Sequence, residues 1–179
     1  MARELILGIS GGIAAYKSAA LASQLVQAGW GVTAVMTDNA REFVGPATFA
    51  ALTGRRVETN VFDQTGPPLG VHIELADRGD LLCIAPATAN VLAKAATGLS
   101  DDLLSTLLLS FAGPIVFAPA MNGDMWAKPS VQRNVATLRD DGYHFVDPVE
   151  GWLSCRKQAV GRMAEPEAIR AAIEKLAGA

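Results

Sequence analysis

Four short apolar runs, none of them interrupted by a charged residue, restrict the fold that this chain can adopt. Apolar runs of this kind are typical of parallel strands covered on both faces, and the segments between them carry helical patterns. Alternation of strand and helix favours one parallel sheet wound in two directions. We therefore predict an α/β fold, a single doubly wound parallel sheet with helices on both faces, formed by residues 1–179 as one domain. The runs are Leu5–Leu7, Val32–Met36, Leu81–Ala85 and Ile115–Ala118.

Weaker patterns predict the remaining elements. Gly45 and Gly54 bracket a helix, Val57–Phe62 is typical of a weak strand, and His144–Val146 of a last strand. Gln64–Gly70 is predicted to be a loop, and Glu167–Leu176 an amphipathic closing helix. Pro148–Ala164 is long for a connection in a compact domain, so we interpret it as a flexible lid or a disordered segment.

The turn after the first run indicates an anion site. Ser10, Gly11 and Gly12 precede a helical pattern in which Lys17 is expected to face water. Glycine allows close backbone approach to an oxygen atom, and the amides and dipole of a helix N-terminus favour negative charge. A dinucleotide-binding G-x-G-x-x-G motif starting at Gly8 fails because position 10 is serine. A tight turn without a ligand remains the alternative.

Polar residues follow the later runs, where open α/β sheets bind ligands. Asp38 can hold a ribose or cap a helix, and Ser100 or Asp101 can cap the helix that follows. Thr88 and Asn90 are placed to meet a cofactor. The apolar loop after the fourth run should line a pocket or an interface, and contains Met121, Asn122, Met125 and Trp126.

Two side chains are candidates for proton transfer. His72 has the right chemistry near neutral pH, although a surface or capping role is the alternative. Cys155 lies in the polar Pro148–Ala164 segment, whereas Cys83 lies in an apolar run and is expected to be a core residue. Two cysteines placed in this way do not indicate a disulfide framework.

Composition excludes several classes of protein. The net charge is −3 and no basic cluster occurs, which gives nucleic-acid binding little electrostatic support. The sequence shows neither a signal-peptide pattern nor an apolar run long enough to span a bilayer, so we expect a cytoplasmic protein that does not bind a membrane. We predict no metal site.

Three motifs together resemble the FMN-dependent cysteine decarboxylases. They are Ser10–Lys17, Ala85–Asn90 and Pro119–Trp126, and the last resembles the P-x-M-N-x-x-M-W substrate motif of that family. The resemblance implies a Rossmann-like or flavodoxin-like sheet and FMN as the cofactor. It also implies that His72 is the catalytic base, Asn122 holds the substrate carboxylate and Cys155 donates a late proton. The residues implied to bind FMN are Ser10, Gly11, Gly12, Thr37, Ala87, Thr88, Asn90, Asp101, Asp102 and Leu103; those implied to bind substrate are Met121, Asn122, Met125 and Trp126.

Within this family, the motifs are most similar to those of members that decarboxylate 4'-phosphopantothenoylcysteine in coenzyme A biosynthesis. The resemblance implies a small-molecule thiol substrate and a homo-oligomer, a trimer or a dodecamer of four trimers, in which His72 of one subunit serves flavin held by another. At Arg156 and Ala159, family members usually have glycine, so this chain has less backbone freedom in the lid. A peptidyl-cysteine decarboxylase that stops at the enethiol and a non-catalytic flavin-binding regulatory subunit remain alternatives. A flavin prenyltransferase and a nicotinamide dehydrogenase fit fewer of the residues.

Overall fold

A central parallel sheet organises the structure, a computed structural model that describes residues 3–62 and 70–178. Its strand order is β2-β1-β3-β4-β5, and every neighbouring pair is parallel. The chain runs outward from β1 to one edge and then from β3 to the other, which confirms the doubly wound α/β prediction. The strands are β1 (Glu4–Ile9), β2 (Gly31–Met36), β3 (Leu81–Ala87), β4 (Ile115–Pro119) and β5 (His144–Phe145).

Helices cover both faces of the sheet. On one face α1, α3 and α9 pack together, and on the other α4, α5, α6 and α8 form a second layer. In the described part of the chain no helix is long and apolar enough to cross a membrane. The helices are α1 (Ala15–Gln27), α2 (Asp38–Arg41), α3 (Pro46–Thr53), α4 (Val71–Arg78), α5 (Ala89–Thr97), α6 (Leu103–Ser110), α7 (Gly123–Trp126), α8 (Pro129–Asp140) and α9 (Pro166–Ala177).

Alternating side chains of the strands build two hydrophobic cores. In β1, Leu5, Leu7 and Ile9 enter the core below α1, whereas Ile6 enters the opposite core below α6. All four side chains are fully buried, because both faces of the sheet are covered. The resulting sheet is rigid, and the loops at its carboxyl edge are therefore held in fixed positions.

The Pro148–Ala164 segment, interpreted from the sequence as a flexible lid or a disordered segment, has regular secondary structure. It forms an antiparallel hairpin of β6 (Val149–Trp152) and β7 (Gln158–Arg162), rather than an irregular connection. The weak strand predicted at Val57–Phe62 is reduced to an isolated bridge between Val35 and Glu58. Except for Gly70, the predicted Gln64–Gly70 loop lies outside the described residues.

Candidate active site

A cavity of about 790 Å³ opens at the carboxyl ends of β1 to β4, between the sheet and the β6–β7 hairpin. Its volume is in the range of cofactor and substrate sites, and it lies where the winding direction of the sheet reverses. The residues on its wall that the sequence predicted are Ser10, Gly11, Gly12, Thr37, Thr88, Asn90, Asp101, Asp102, Met121, Asn122, Met125 and Cys155.

Ser10 joins the ends of β1 and β3 at this reversal point. Its buried hydroxyl donates to the Pro86 carbonyl at 2.7 Å and accepts from the Thr88 amide at 3.1 Å. The hydroxyl proton is therefore already used inside the protein. Ser10 contributes to the cavity mainly by fixing the Gly-rich turn relative to Thr88.

The Gly-rich turn is a suitable place for a phosphate. A Cβ atom on Gly11 would overlap Asn39 and lie 2.8 Å from its carbonyl carbon, so only glycine fits between α1 and α2. At its N-terminus, α1 has no side-chain cap on Ala14 and no acidic residue in its first turn. The positive end of its dipole therefore remains available to an anion in the cavity. These features fit the terminal phosphate of FMN.

Lys94 stabilises another part of the wall, the turn between α5 and α6. Its mostly buried ammonium group forms ion pairs with Asp101 and with Asp102 Oδ2, the latter at 2.7 Å. Asp102 also caps α6, because its Oδ1 accepts from the Ser105 amide at 2.7 Å. Burial opposes the charge on Asp102, but hydrogen bonds from Lys94 and Ser105 outweigh it and lower the pKa. Burial likewise opposes the charge on Lys94, but its contacts with Asp101 and Asp102 outweigh the cost of burial and raise the pKa of Lys94.

Asn122 is presented by the loop between β4 and α7. Its Oδ1 accepts from the Asp124 amide at 2.7 Å, which leaves the Nδ2 group as the donor for a ligand. The preceding residue is tied to the hairpin, since the Met121 amide donates to the Gly161 carbonyl at 2.9 Å. A Cβ on Gly161 would overlap the Met121 carbonyl oxygen and lie 3.3 Å from the Gly123 nitrogen. The end of β7 therefore packs directly on the Asn122 loop.

The two cysteines lie in opposite environments. Cys155 is exposed in the turn between β6 and β7, on the cavity wall. Cys83 is fully buried in β3, and burial raises its pKa to about 12. Only Cys155 can meet a ligand in the cavity. Within the described ranges, no group of three or more His, Cys, Asp or Glu side chains could hold a metal ion.

Lys17 and Arg162 are cavity residues that sequence reasoning missed. Lys17 was expected to face water, but it is buried and lines the cavity. Its Nζ lies 3.0 Å from Glu165 Oε1 and donates to the Met163 carbonyl at 3.2 Å. Arg162 Nη2 lies 2.6 Å from the same Glu165 oxygen. The helical pattern gave no signal for these contacts, because the partners of Lys17 come from the distant end of the chain.

Three residues predicted to contact ligands do not line this cavity in the described part of the chain. Ala87 and Leu103 are buried, at the end of β3 and the start of α6. Trp126 packs against the second hydrophobic core. Each of the three adjoins a residue that does line the cavity, namely Thr88, Asp102 and Met125.

His72 also lies away from this cavity. It is on α4, half-buried, and its buried Nδ1 has no hydrogen-bond partner among residues 3–62 and 70–178. An unpaired polar atom in such a place is costly, which is typical of a group whose partner comes from elsewhere. Within one chain, the structure therefore does not bring His72 together with Asn122 and Cys155.

A doubly wound domain with a phosphate cradle at the reversal point of its sheet belongs to the class of nucleotide-cofactor-binding α/β proteins. The chain is a member of the Flavoprotein family, because the sequence pattern of that family matches residues 1–178. It is 48% identical over 173 residues to the coenzyme A biosynthesis bifunctional protein CoaBC of Bacillus subtilis, covering 97% of this chain and 43% of that protein. CoaBC of Mycobacterium tuberculosis is 44% identical over 167 residues, or 93% of this chain and 40% of the relative. The chain thus spans less than half the length of these relatives.

Solved structures agree with the family. The FMN-dependent cysteine decarboxylase SpaF superposes with a TM-score of 0.85 at 37% identity, covering 99% of this chain and 98% of that one. A mutant PPC decarboxylase complexed with pantothenoylaminoethenethiol superposes with a TM-score of 0.89 at 29% identity, over the full length of both chains. The predicted resemblance to FMN-dependent cysteine decarboxylases is confirmed.

Proposed function

We propose that this chain is an FMN-dependent decarboxylase that converts the cysteine moiety of 4'-phosphopantothenoylcysteine, giving 4'-phosphopantetheine for coenzyme A biosynthesis. The observation that carries the proposal is the cavity itself, which has a phosphate cradle at one wall and Asn122 and Cys155 at the other. The similarity to CoaBC proteins and to PPC decarboxylase supports the choice of substrate.

The cofactor role is assigned to the sheet side of the cavity. Ser10, Gly11, Gly12 and Thr37 would hold the phosphate of FMN, and Thr88, Asn90, Asp101 and Asp102 the ribityl chain and ring. Flavin held there would supply reversible hydride transfer at the β carbon of the substrate, and with it the electron sink that loss of CO₂ requires. The residues of the chain provide binding, orientation and protons.

Asn122 anchors the substrate in this proposal. Its free Nδ2 group donates to the carboxylate without adding a charge that would hold the carboxylate in place. Met121 and Met125 supply apolar wall that excludes water from the reacting carbon. Cys155, exposed on the same wall, gives its thiol proton to carbon in the last step.

The base is supplied by a second copy of the chain. His72 has a buried, unpaired Nδ1 among the described residues and lies outside the cavity, which supports a homo-oligomer of trimers in which it serves a neighbouring flavin. We expect light scattering to give a trimer or a dodecamer. Mixing His72→Asn chains with flavin-deficient Gly11→Asp chains should restore activity, and a fully active monomer would contradict the shared site. The proposal includes a cytoplasmic location, which cell fractionation can test.

Substrate comparison tests the proposed activity. The purified protein should release FMN on denaturation, and single-turnover reduction of the flavin should be fast with phosphopantothenoylcysteine and slow with a peptide ending in cysteine. Mass analysis should find phosphopantetheine as the product. If the purified protein contained no flavin, or if it did not release CO₂, we would conclude that it is a binding or regulatory protein instead.

A second candidate activity, decarboxylation of a peptide cysteine with release of the enethiol, is favoured by the hairpin turn. Arg156 and Ala159 stand where glycine is usual in the family, and the turn carries Cys155. This candidate would be selected if the same assay showed faster reaction with the peptide and if the only product were the oxidised enethiol.

A further inference from the structure

Lys17 occupies a place that is unfavourable for a lysine. It lies in the first turn of α1, where helical side chains lean toward the N-terminus of their helix, and it lines the same cavity as the Gly-rich turn. A cation at this end opposes the helix dipole. Burial adds a further cost, since the side chain is only 8% exposed.

The partners of Lys17 offset this cost incompletely. Lys17 and Arg162 share Glu165 Oε1, so two cations that line the cavity face a single carboxylate. An ammonium group has three donors, and the bonds to Glu165 and the Met163 carbonyl use two. Among residues 3–62 and 70–178, one donor of the Lys17 ammonium group therefore remains without a partner, on the cavity wall.

The same contacts connect two functional elements. Met163 and Glu165 follow β7 directly, and Met163 is buried. Lys17 therefore joins α1, which carries the cradle, to the base of the hairpin, which carries Cys155. Lys17 is therefore in contact with both functional elements.

We propose that Lys17 is a phosphate-binding residue that couples occupancy of the cradle to the position of the hairpin. Its remaining donor binds the phosphate of the cofactor, while the other two hold Met163 and Glu165. This inference rests on the proposed function, because it takes the phosphate to be that of FMN. Arg162 also pairs with Glu165, so this carboxylate stays neutralised when Lys17 shares its charge with the phosphate.

The test compares FMN with riboflavin, which lacks the phosphate. In equilibrium titrations followed by flavin fluorescence, Lys17→Met should weaken FMN by about 10- to 100-fold, the range of one hydrogen bond to a charged group, and leave riboflavin nearly unchanged. Lys17→Gln, which keeps a donor without the charge, should fall between the parent and Lys17→Met. Lys175→Met, an exposed lysine of α9, is the matched control and should behave as the parent.

Hydrogen exchange of residues 158–163 reports on the coupling without any turnover. In the parent, FMN should slow this exchange more than riboflavin does, and in Lys17→Met the two flavins should act alike. The inference would be overturned if Lys17→Met weakened the binding of both flavins equally, or if the two flavins still differed in their effect on exchange in that variant. Either result would leave the proposed FMN-dependent function standing. A parent protein that binds no FMN would overturn the proposed function itself. Riboflavin binding by each variant shows that its cavity is still folded.

Discussion

The two walls of the cavity are held in place by different means. The sheet wall, residues 10–14, 37–39 and 88–91, follows buried strands, and Ser10 is only 1% exposed with bonds to both Pro86 and Thr88. The hairpin wall, residues 149–163, is a two-stranded sheet outside the main one, and its Trp152 is 68% exposed. Its attachments to the rest of the chain include the hydrogen bond of Gly161 to Met121, the buried Met163 that follows β7, and the exposed ion pair of Lys157 with Asp124.

This difference indicates which wall of the cavity is as stable as the whole fold and which is less stable. Segments with many buried contacts open only by global unfolding, whereas segments attached at a few points open locally. The flavin side should therefore be as stable as the core. The side that carries Cys155 should open separately, as substrate entry and product release require.

The largest expected effect is on the sheet wall. Gly11→Ala places a Cβ against Asn39, 2.8 Å from its carbonyl carbon, so the backbone of the Gly-rich turn or of α2 must shift. We expect a loss of about 1–3 kcal/mol in the free energy of unfolding of the apoprotein. Gly12→Ala is the matched control, because its Cβ would lie 3.5 Å from Thr88 Cγ2, an ordinary contact. Equal stability of the two variants in urea would show that this wall is as adaptable as the hairpin.

Gly161→Ala should act on the hairpin alone. The new Cβ overlaps the Met121 carbonyl oxygen, so β7 must separate from the Asn122 loop. Hydrogen exchange in residues 149–163 should rise about tenfold, equal to about 1.4 kcal/mol of local stability, while the urea midpoint changes little. Gly151→Ala would meet only the flexible Arg162 side chain, at 2.9 Å, and should change exchange less. A large fall in global stability for Gly161→Ala would contradict separate opening.

Asp102→Asn probes the charge on the sheet wall. Asparagine retains the cap on α6 but loses the ion pair with Lys94, so we expect a cost of about 0.5–1 kcal/mol at neutral pH. Because the pKa of Asp102 is lowered in the fold, its contribution is present above the ordinary value of about 3.9 and is lost as pH falls below it. The parent and the variant should therefore converge in acid. A difference that persists below pH ~2 would exclude the charge as its cause.

The smallest effect is expected at the tip of the hairpin. Arg156 has a φ of 62°, a left-handed conformation that favours glycine. In Arg156→Gly, relief of this strain and the greater freedom of the unfolded glycine oppose each other, so the net change should stay below about 0.5 kcal/mol. Exchange at the tip should nevertheless become faster. Thermal unfolding and peptide-level exchange measure the two effects separately, and a stability change above ~1 kcal/mol would mean that Arg156 has an additional role.

The main sheet was predictable because burial on both faces leaves a clear mark on the sequence. The apolar runs that predicted β1 to β4 lie within the observed strands, and the residues after them reach the cavity as expected. The hairpin left no such mark. Its first strand, Val149–Trp152, is largely exposed and carries a glycine. The hairpin is attached to the rest of the chain through Gly161, which bonds to Met121, and through Met163, which bonds to Lys17, and no local pattern contains these contacts.

Side-chain placement was the harder part of the site. Helical spacing placed Lys17 on a polar face, but Glu165, 148 residues later, turns that face into part of the cavity wall. No local pattern placed His72 away from the cavity; only the family resemblance did, by implying that it serves flavin held by another subunit. Ala87 and Leu103 are buried and Trp126 is half-buried against the second core, an arrangement that their places along the chain did not predict.

The burial of Cys83 gives the protein a practical property. The chain contains two cysteines, and Cys83 is sealed in β3 while Cys155 is exposed. A thiol reagent added to the folded protein should therefore attach a single reporter group, at the hairpin turn, without any engineered substitution. Fluorescence from that group would follow opening of the hairpin, and a second equivalent of label would be taken up only as the sheet unfolds.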